Sequence, residues 1–205
     1  MRYKFISRTL LTNETLKIVS LYLDLKDWNE VKKIVLEENL LQKNKVVSLQ
    51  KQFSEIKTRV DKLTDKELEY ASNFDLYSSR LVFFIGVAKK YRLLYEFLIE
   101  VLRDKFLTFN YTIFDYDYEN FLRSKYDNYS ELEEVKQDTR IKLKRNLFKI
   151  LEEVGIIDST ENKNIIKPFV PEELIKIIVE DNPNLLAIFL MSDSEILMYK
   201  EKYNI

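Results

Sequence analysis

The chain has 205 residues, with 33 basic and 34 acidic side chains and a net charge of −1 at pH 7, so its overall charge does not indicate a nucleic-acid-binding protein. Cysteine and histidine are absent, which excludes disulfide bonds, metal sites built on imidazole or thiolate, and Ser-His or Cys-His catalytic pairs. Only two glycines and three prolines are present, which favours a mostly α-helical protein and excludes the glycine-rich phosphate loops of nucleotide-binding proteins.

Capping residues and apolar periodicity predict four helices in the first third of the chain. The first begins after Thr12 or Asn13, and the second begins at a capping-box sequence at residues 27–30. The third covers residues 48–62, and the fourth begins at a second capping box, residues 64–67. The basic residues that we expect to face mostly outward on the third helix are Lys51, Lys57, Arg59 and Lys62.

Residues 76–106 are the most apolar part of the chain and predict a central buried helix or helix pair. The two positions where it could bend are Gly86 and the Lys89-Lys90 step. An irregular aromatic stretch follows, then a helix from Asp117 to Tyr126 and a capping box at residues 130–133.

A basic amphipathic helix is predicted over residues 138–155, with Asp138 as its N-cap and Gly155 just past its last turn. Its charge contrasts with that of the segment before it. Residues 113–135 carry seven acidic and two basic side chains, a balance of −5, whereas residues 136–149 carry six basic and one acidic, a balance of +5. The apolar face is expected to comprise Leu143, Leu147, Ile150, Leu151 and Val154, opposite Lys142, Arg145 and Lys149.

A short β-hairpin is predicted after this helix, with residues 156–158 and 165–167 on either side of a polar turn. The order of helix, tight turn and hairpin is typical of a winged-helix unit, whose hairpin can reach an adjacent groove or phosphate. Pro171, Asn182-Pro183 and the capping box at residues 192–195 mark three more short helices.

The residues that we expect to contact nucleic acid are Arg140, Lys142, Lys144, Arg145, Lys149, Lys163 and Lys167. A second basic group could extend this surface, and it consists of Lys43, Lys45, Lys51 and Arg59. Such side chains chiefly contact phosphates, so the expected partner is double-stranded DNA bound with low sequence specificity, or else RNA. A cationic stripe is also the ordinary solvated face of a packed helix, and the sequence leaves both interpretations open.

A different interpretation is a protein-interaction module that uses the acidic segment at residues 115–134 and the tyrosine-rich stretch at residues 111–129. An enzyme is the least favoured interpretation, and no catalytic, cofactor-binding or metal site is predicted. Residues 115–126 imitate the first ligands of a calcium-binding loop but lack its glycine and glutamate. The Ser-x-x-Lys sequences at residues 48–51 and 54–57 lack the partner motifs of Ser-x-x-Lys enzymes.

The apolar runs at residues 81–88 and 185–191 are far shorter than the roughly 20 residues of a membrane-spanning helix. The first eight residues lack the apolar region and cleavage site of a signal peptide. We therefore expect a cytoplasmic protein without membrane segments.

Three sequence blocks, at residues 37–42, 89–101 and 138–157, together resemble the BrxA family of bacteriophage-exclusion (BREX) phage-defence systems, and the similarity covers roughly residues 5–160. The resemblance implies a small, non-enzymatic, mostly helical component of a defence operon, associated with DNA binding and likened in fold to the RNA-binding factor NusB. Its expected partners include other proteins of the BREX operon. The family's Thr-x-x-Lys pattern falls on Thr139 to Lys142, inside the predicted basic helix.

These elements predict a compact multi-helix bundle, NusB-like in its resemblance, followed by a C-terminal winged-helix-like unit with one short β-hairpin. Residues 1–127 would form the N-terminal helical region around the buried helices at residues 76–106. Residues 128–205 would hold the basic helix, the hairpin and the short helices. The two regions could also pack as one domain.

Overall fold

Helices make up most of the protein, which confirms the expectation of a mostly α-helical fold. The computed structural model describes residues 6, 8–126, 132 and 134–204. Most of the capping box predicted at residues 130–133 lies outside this set. The chain divides into two compact units, Leu10–Lys90 and Met1–Thr9 with Tyr91–Ile205, so the predicted boundary at residue 127 falls within the second unit. No helix of the described residues is long and apolar enough to cross a membrane.

The first unit contains the predicted early helices and the first half of the central apolar stretch. Thr64 and Glu67 form the predicted capping box, each side chain bonded to the other residue's backbone N–H. Asp27 caps the second helix by accepting from the Asn29 N–H at 2.8 Å. The helices are α1 (Thr12–Leu25), α2 (Trp28–Glu37), α3 (Val46–Val60), α4 (Asp65–Asn73) and α5 (Leu76–Lys90).

Arg59 on α3 lies in the core of this unit, with 2% of its surface exposed. Its Nε donates to Glu55 at 2.7 Å, and its Nη1 donates to the Leu10 carbonyl oxygen at 3.2 Å. The other Glu55 oxygen pairs with Lys90 at 2.9 Å. The expectation that Arg59 faces outward is therefore wrong, because an acidic residue one turn away and a distant carbonyl satisfy the guanidinium inside the protein.

Helix α5 is buried on nearly all sides. It ends at Lys90 and α6 begins at Arg92, so the helical stretch is interrupted at Tyr91, next to the Lys89-Lys90 step where a bend was predicted. Gly86 lies within α5, and a Cβ atom there would stand 2.8 Å from the Arg59 carbonyl oxygen of α3. The glycine therefore allows α3 and α5 to approach closely rather than marking a bend.

The second unit continues from α6 through shorter elements. The predicted capping box at Ser192 and Glu195 is confirmed, and the helix expected to begin at Asp117 begins two residues earlier. The elements are α6 (Arg92–Phe97), a π-helical segment (Leu98–Arg103), α7 (Asp104–Leu107), α8 (Asp115–Tyr126), α9 (Gln137–Val154), α10 (Glu172–Asp181), a 3₁₀ helix (Pro183–Phe189) and α11 (Asp193–Lys202).

Helix α9 is the predicted basic helix, and its apolar side packs into an aromatic core. Phe148 lies 6.1 Å from Phe97 and 5.9 Å from Tyr118, measured between ring centroids. Gly155 adopts the left-handed conformation (φ 80°) that was expected after the last turn. The assignment of Asp138 as N-cap is wrong. The helix begins at Gln137 after Lys136, which makes no side-chain cap, and Asp138 lies in the first turn, where its charge is favourable for the helix dipole.

The expected apolar face of α9 is confirmed except that Leu143 is half-buried. The residues of this helix that are buried are Leu147, Phe148, Ile150, Leu151 and Val154.

The predicted hairpin is present in minimal form, as one antiparallel bridge between Ile157 and Ile165. A further pairing was not predicted. The segment at residues 111–113 joins the far side of the hairpin through a bridge between Thr112 and Asn164. The Ile165 N–H donates to the Tyr111 carbonyl oxygen at 2.6 Å, and the Ile113 N–H donates to the Lys163 carbonyl oxygen at 3.0 Å.

Candidate nucleic-acid interface

The outer face of α9 carries Lys142, Arg145 and Lys149, all exposed and spaced to lie on one side of the helix. Lys142 and Arg145 form no ion pair with any part of the chain that the structure describes. Lys149 pairs with Glu152 on the next turn, and this hydrogen bond raises the pKa of the Lys149 ammonium. Two of the three cations are therefore available for an external anion.

Lys144 and Lys163 converge on the carboxylate of Asp115, the first residue of α8. Their Nζ atoms lie 3.4 and 3.2 Å from the same oxygen, Asp115 Oδ1. Lys144 also approaches Glu119 at 3.3 Å. The hydrogen bond from Lys163 is the main cause that lowers the pKa of Asp115, and the charge of Lys144 adds to it against the effect of burial.

A groove of about 550 Å³ runs beside this contact. It carries four cations and one carboxylate, so its charge is strongly positive. Phe148, Ile141 and two threonines supply the less polar part of its wall. The lining residues are Thr9, Asp115, Ile141, Lys144, Arg145, Asn146, Phe148, Lys149, Thr160 and Lys163.

Backbone bonds at the hairpin tip hold Lys163 in the groove. Its φ is 56°, its N–H donates to the Ser159 carbonyl oxygen at 3.0 Å, and its own carbonyl accepts from Ile113. The Asp158 carboxylate organises the turn by accepting from the N–H groups of Ser159 at 2.6 Å and Asn164 at 2.9 Å. Burial acts to raise the pKa of Asp158, but the bonds from Asn164 and Ser159 outweigh it and the pKa is lowered.

Arg140 and Lys167 are engaged within the protein. The Arg140 guanidinium donates to the carbonyl oxygens of Val135 at 2.8 Å and Leu132 at 3.3 Å and to the Tyr126 hydroxyl at 2.8 Å. Lys167 pairs with Glu195, the residue that completes the α11 capping box. Both side chains therefore stabilise the fold around α9 and α11 rather than standing free for a ligand.

The second basic group lies in the first unit. Lys45 and Lys51 are exposed, Lys43 is half-buried, and Arg59 is in the core. Exposed Val46 and Val47 follow Lys45 directly. Of the four expected residues, three remain at the surface.

Sequence reasoning missed the part that Asp115 plays. It assigned this residue to an acidic segment for protein contacts, whereas the carboxylate lies among the cations of the groove. The arrangement depends on pairing between residues 111–113 and 163–165, about 50 residues apart in the chain, and no local pattern marks it.

Exposed aromatic side chains form a second surface feature, which begins just before the tyrosine-rich stretch predicted for protein contacts and continues into it. Phe109 is 81% exposed, and Tyr111, Phe114 and Tyr116 are exposed by about half. The Phe114 and Tyr116 rings stack with centroids 5.3 Å apart. They flank Asp115 in sequence, so they lie next to the residue that enters the groove.

Comparison with known proteins identifies the family. A curated relative, the BREX protein BrxA of Bacillus cereus (strain H3081.97), is 28% identical over 148 residues, which are 72% of this chain and 74% of the relative. The crystal structure of an uncharacterized protein from Magnetospirillum magneticum has the same fold, with a TM-score of 0.81, 21% identity, and coverage of 93% of this chain and 99% of that chain. The sequence model of BrxA matches residues 2–182. The chain therefore belongs to the BrxA family of BREX phage-defence systems.

Proposed function

We propose that this chain is a non-enzymatic, cytoplasmic component of a BREX system that binds duplex DNA through phosphates, with low sequence specificity. The observation that carries the proposal is the outer face of α9, where Lys142 and Arg145 are exposed without a carboxylate partner among the described residues. Unpaired cations on a rigid helix beside a cationic groove match the requirements of a polyanion better than those of a small neutral ligand.

The helix, glycine turn and bridged hairpin also support a winged-helix-like arrangement, in which Lys163 is at the tip of a short wing. The cations that would reach phosphates are Lys142, Lys144, Arg145, Lys149 and Lys163. If all five contact phosphates, the logarithm of the affinity falls with the logarithm of the salt concentration with a slope of about −4 to −5.

Fluorescence anisotropy with a labelled duplex across a salt series tests this proposal. Changing Lys142, Arg145 and Lys149 together to Glu should weaken binding by on the order of 100-fold and flatten the salt slope. The matched control changes Lys17, Lys32 and Lys33 to Glu. These lysines are exposed on α1 and α2 and form no ion pair among the described residues, so their replacement should disturb the fold little. Because both variants exchange three cations for three carboxylates, the net charge changes by the same amount.

Equal loss of affinity in both triple variants would mean that only net charge matters, and it would remove this face of α9 from the proposal. An unchanged affinity in the α9 variant would do the same. If a single strand displaces the duplex at equal nucleotide concentration, the preferred ligand is RNA or single-stranded DNA. RNA is the ligand that the NusB-like resemblance implies. A separate pair, Lys45→Glu with Lys51→Glu, tests the second basic group.

A protein-interaction role is the second candidate, and the exposed aromatics support it. Phe109, Tyr111, Phe114 and Tyr116 are side chains of the kind that interfaces bury. The partners would be other products of the BREX operon. Co-purification at micromolar concentration with the unaltered chain, and its loss when Phe109 and Tyr116 are changed to Ser, is the expected result. The absence of any complex counts against this role.

A further inference from the structure

We propose that Lys144 and Lys163 form a phosphate subsite that Asp115 occupies in the free protein, and that a phosphate of the DNA backbone displaces the Asp115 carboxylate on binding. The inference rests on the proposed DNA-binding function and adds to it a named subsite and an internal competitor. The ligand group is a phosphodiester, and the competitor is a carboxylate of the same charge.

The geometry of the two ammonium groups carries this inference. Both Nζ atoms approach one oxygen, Asp115 Oδ1, at 3.4 and 3.2 Å. Two lysines directed at one oxygen are the arrangement by which a phosphate oxygen is held, because each ammonium acts as a compact point charge with several donors. A carboxylate oxygen and a phosphate oxygen are interchangeable in such a site as far as charge and acceptor capacity are concerned.

The lysines are better fixed than the carboxylate. Lys144 Nζ lies over the Tyr118 ring and Lys163 Nζ over the Phe148 ring, each at 5.6 Å from the centroid. Their side chains are 23% and 18% exposed, whereas that of Asp115 is 67% exposed. The two ammonium groups are therefore largely enclosed by the protein, whereas most of the carboxylate faces solvent, so a side-chain rotation of Asp115 is enough to release both lysines.

Displacement by DNA is favourable in a way that displacement by a small anion is not. The ion pairs of a mostly exposed carboxylate are weak. A single small anion that replaced Asp115 would form ion pairs of similar strength with the same two lysines, so it would gain little binding energy. A duplex brings neighbouring phosphates to Arg145 and Lys149 in the same groove and to Lys142 beside it. The competitor thus lowers affinity for every anion, and only a ligand with several phosphates overcomes it.

Replacement of Asp115 by Asn tests the inference. Removing the competing charge should raise duplex affinity by about fivefold to tenfold at moderate salt. The matched control is Glu119→Gln, on the same helix and with the same change in charge. Among the described residues Glu119 pairs only with Lys144, and it does not line the groove, so its replacement should raise affinity no more than about twofold. Asp115→Ser serves as a second variant with the same expected direction, and thermal unfolding verifies that each variant is folded.

A mutant cycle separates a local competitor from a general charge effect. In a protein with Lys144 and Lys163 both changed to Met, the Asp115→Asn gain should disappear, because the subsite is gone. A gain that persists in that background, or an Asp115→Asn affinity equal to that of the unaltered chain, would overturn the inference while duplex binding through α9 stands. Failure of every variant, including the unaltered chain, to bind duplex would overturn both proposals.

Inorganic phosphate distinguishes the backbone of DNA from free phosphate as the ligand. Titrated at constant ionic strength and followed by thermal unfolding, it should stabilise Asp115→Asn measurably and leave the unaltered chain unchanged. Saturable binding of inorganic phosphate to the unaltered chain would overturn the assignment to DNA phosphates.

Discussion

The backbone N–H of Ile113 donates to the carbonyl oxygen of Lys163 at 3.0 Å, and this bond joins the aromatic segment before α8 to the tip of the hairpin after α9. Asp115 follows two residues after Ile113, so the same bond brings its carboxylate to the Lys163 ammonium. The shape of the cationic groove is therefore set by backbone pairing and not only by side chains.

The Asp158 carboxylate should control the position of Lys163. It accepts from the Ser159 and Asn164 N–H groups, and Asp158→Ala leaves both donors without that partner. We expect faster amide hydrogen exchange at residues 159–165 and duplex binding about twofold to fivefold weaker. Glu161→Ala is the control, because it removes a carboxylate from the same exposed turn at a residue that does not line the groove. Normal exchange at the tip of the Asp158 variant would contradict this role.

Gly86→Ala should destabilise the protein, although alanine is the better helix former. A Cβ at this position meets the Arg59 carbonyl oxygen at 2.8 Å and the Leu63 side chain at 3.2 Å. Backbone cannot move aside as a flexible side chain does, so we expect a loss of about 1–3 kcal/mol. Urea unfolding measures it. A stabilised variant, as propensity alone predicts, would show that α3 and α5 can separate without penalty.

Glu67 connects a helix cap to a buried ion pair. It accepts from the Thr64 N–H at 2.7 Å and from the Lys89 ammonium at 3.0 Å, and its side chain is fully buried. Glu67→Ala removes the cap and the buried carboxylate that the Lys89 ammonium contacts, which should lower the free energy of unfolding by about 3 kcal/mol. Glu67→Gln keeps an acceptor and should lose less. Equal losses in the two variants would contradict the importance of charge here.

Acid should weaken the second unit through Glu195. Burial raises the pKa of this carboxyl, but hydrogen bonds from Lys167 and the Ser192 N–H outweigh it, so the pKa lies below its ordinary 4.5. A carboxyl whose pKa is lower in the folded protein than in the unfolded chain contributes its full stability when the pH is above the unfolded pKa. That contribution is lost as the pH falls through the folded pKa. Glu195→Gln should therefore flatten the pH dependence of unfolding below about pH 4.5, by no more than about 1 kcal/mol because solvent screens the pair. An unaltered pH profile in this variant would exclude the contribution.

Local signals in the sequence predicted local structure well. The cap at Thr64 and Glu67, the cap at Ser192 and Glu195, and the left-handed Gly155 each depend on residues within one turn, and each is confirmed. Helix periodicity also placed Lys142, Arg145 and Lys149 correctly at the surface, because one face of α9 is buried and the other is not.

Charged side chains with distant partners could not be predicted in this way. Arg59 finds the Leu10 carbonyl oxygen 49 residues away, and Lys163 finds Asp115 across the chain. The sequence pattern around a basic residue is the same whether its side chain contacts solvent, a carbonyl group or a carboxylate. Only the packing of the elements decides which of these satisfies it.

The tip of the hairpin resembles a surface loop that accepts insertions, since residues 159–164 are polar and mostly exposed. Its length is nevertheless fixed, because the Lys163 N–H reaches back to Ser159 and its carbonyl reaches across to Ile113. One residue inserted here would place a different side chain beside Asp115, and the groove would lose the ammonium group of Lys163 from that position. An affinity tag or epitope placed in this turn would therefore alter the cationic groove directly, and a tag is better attached at another exposed part of the chain.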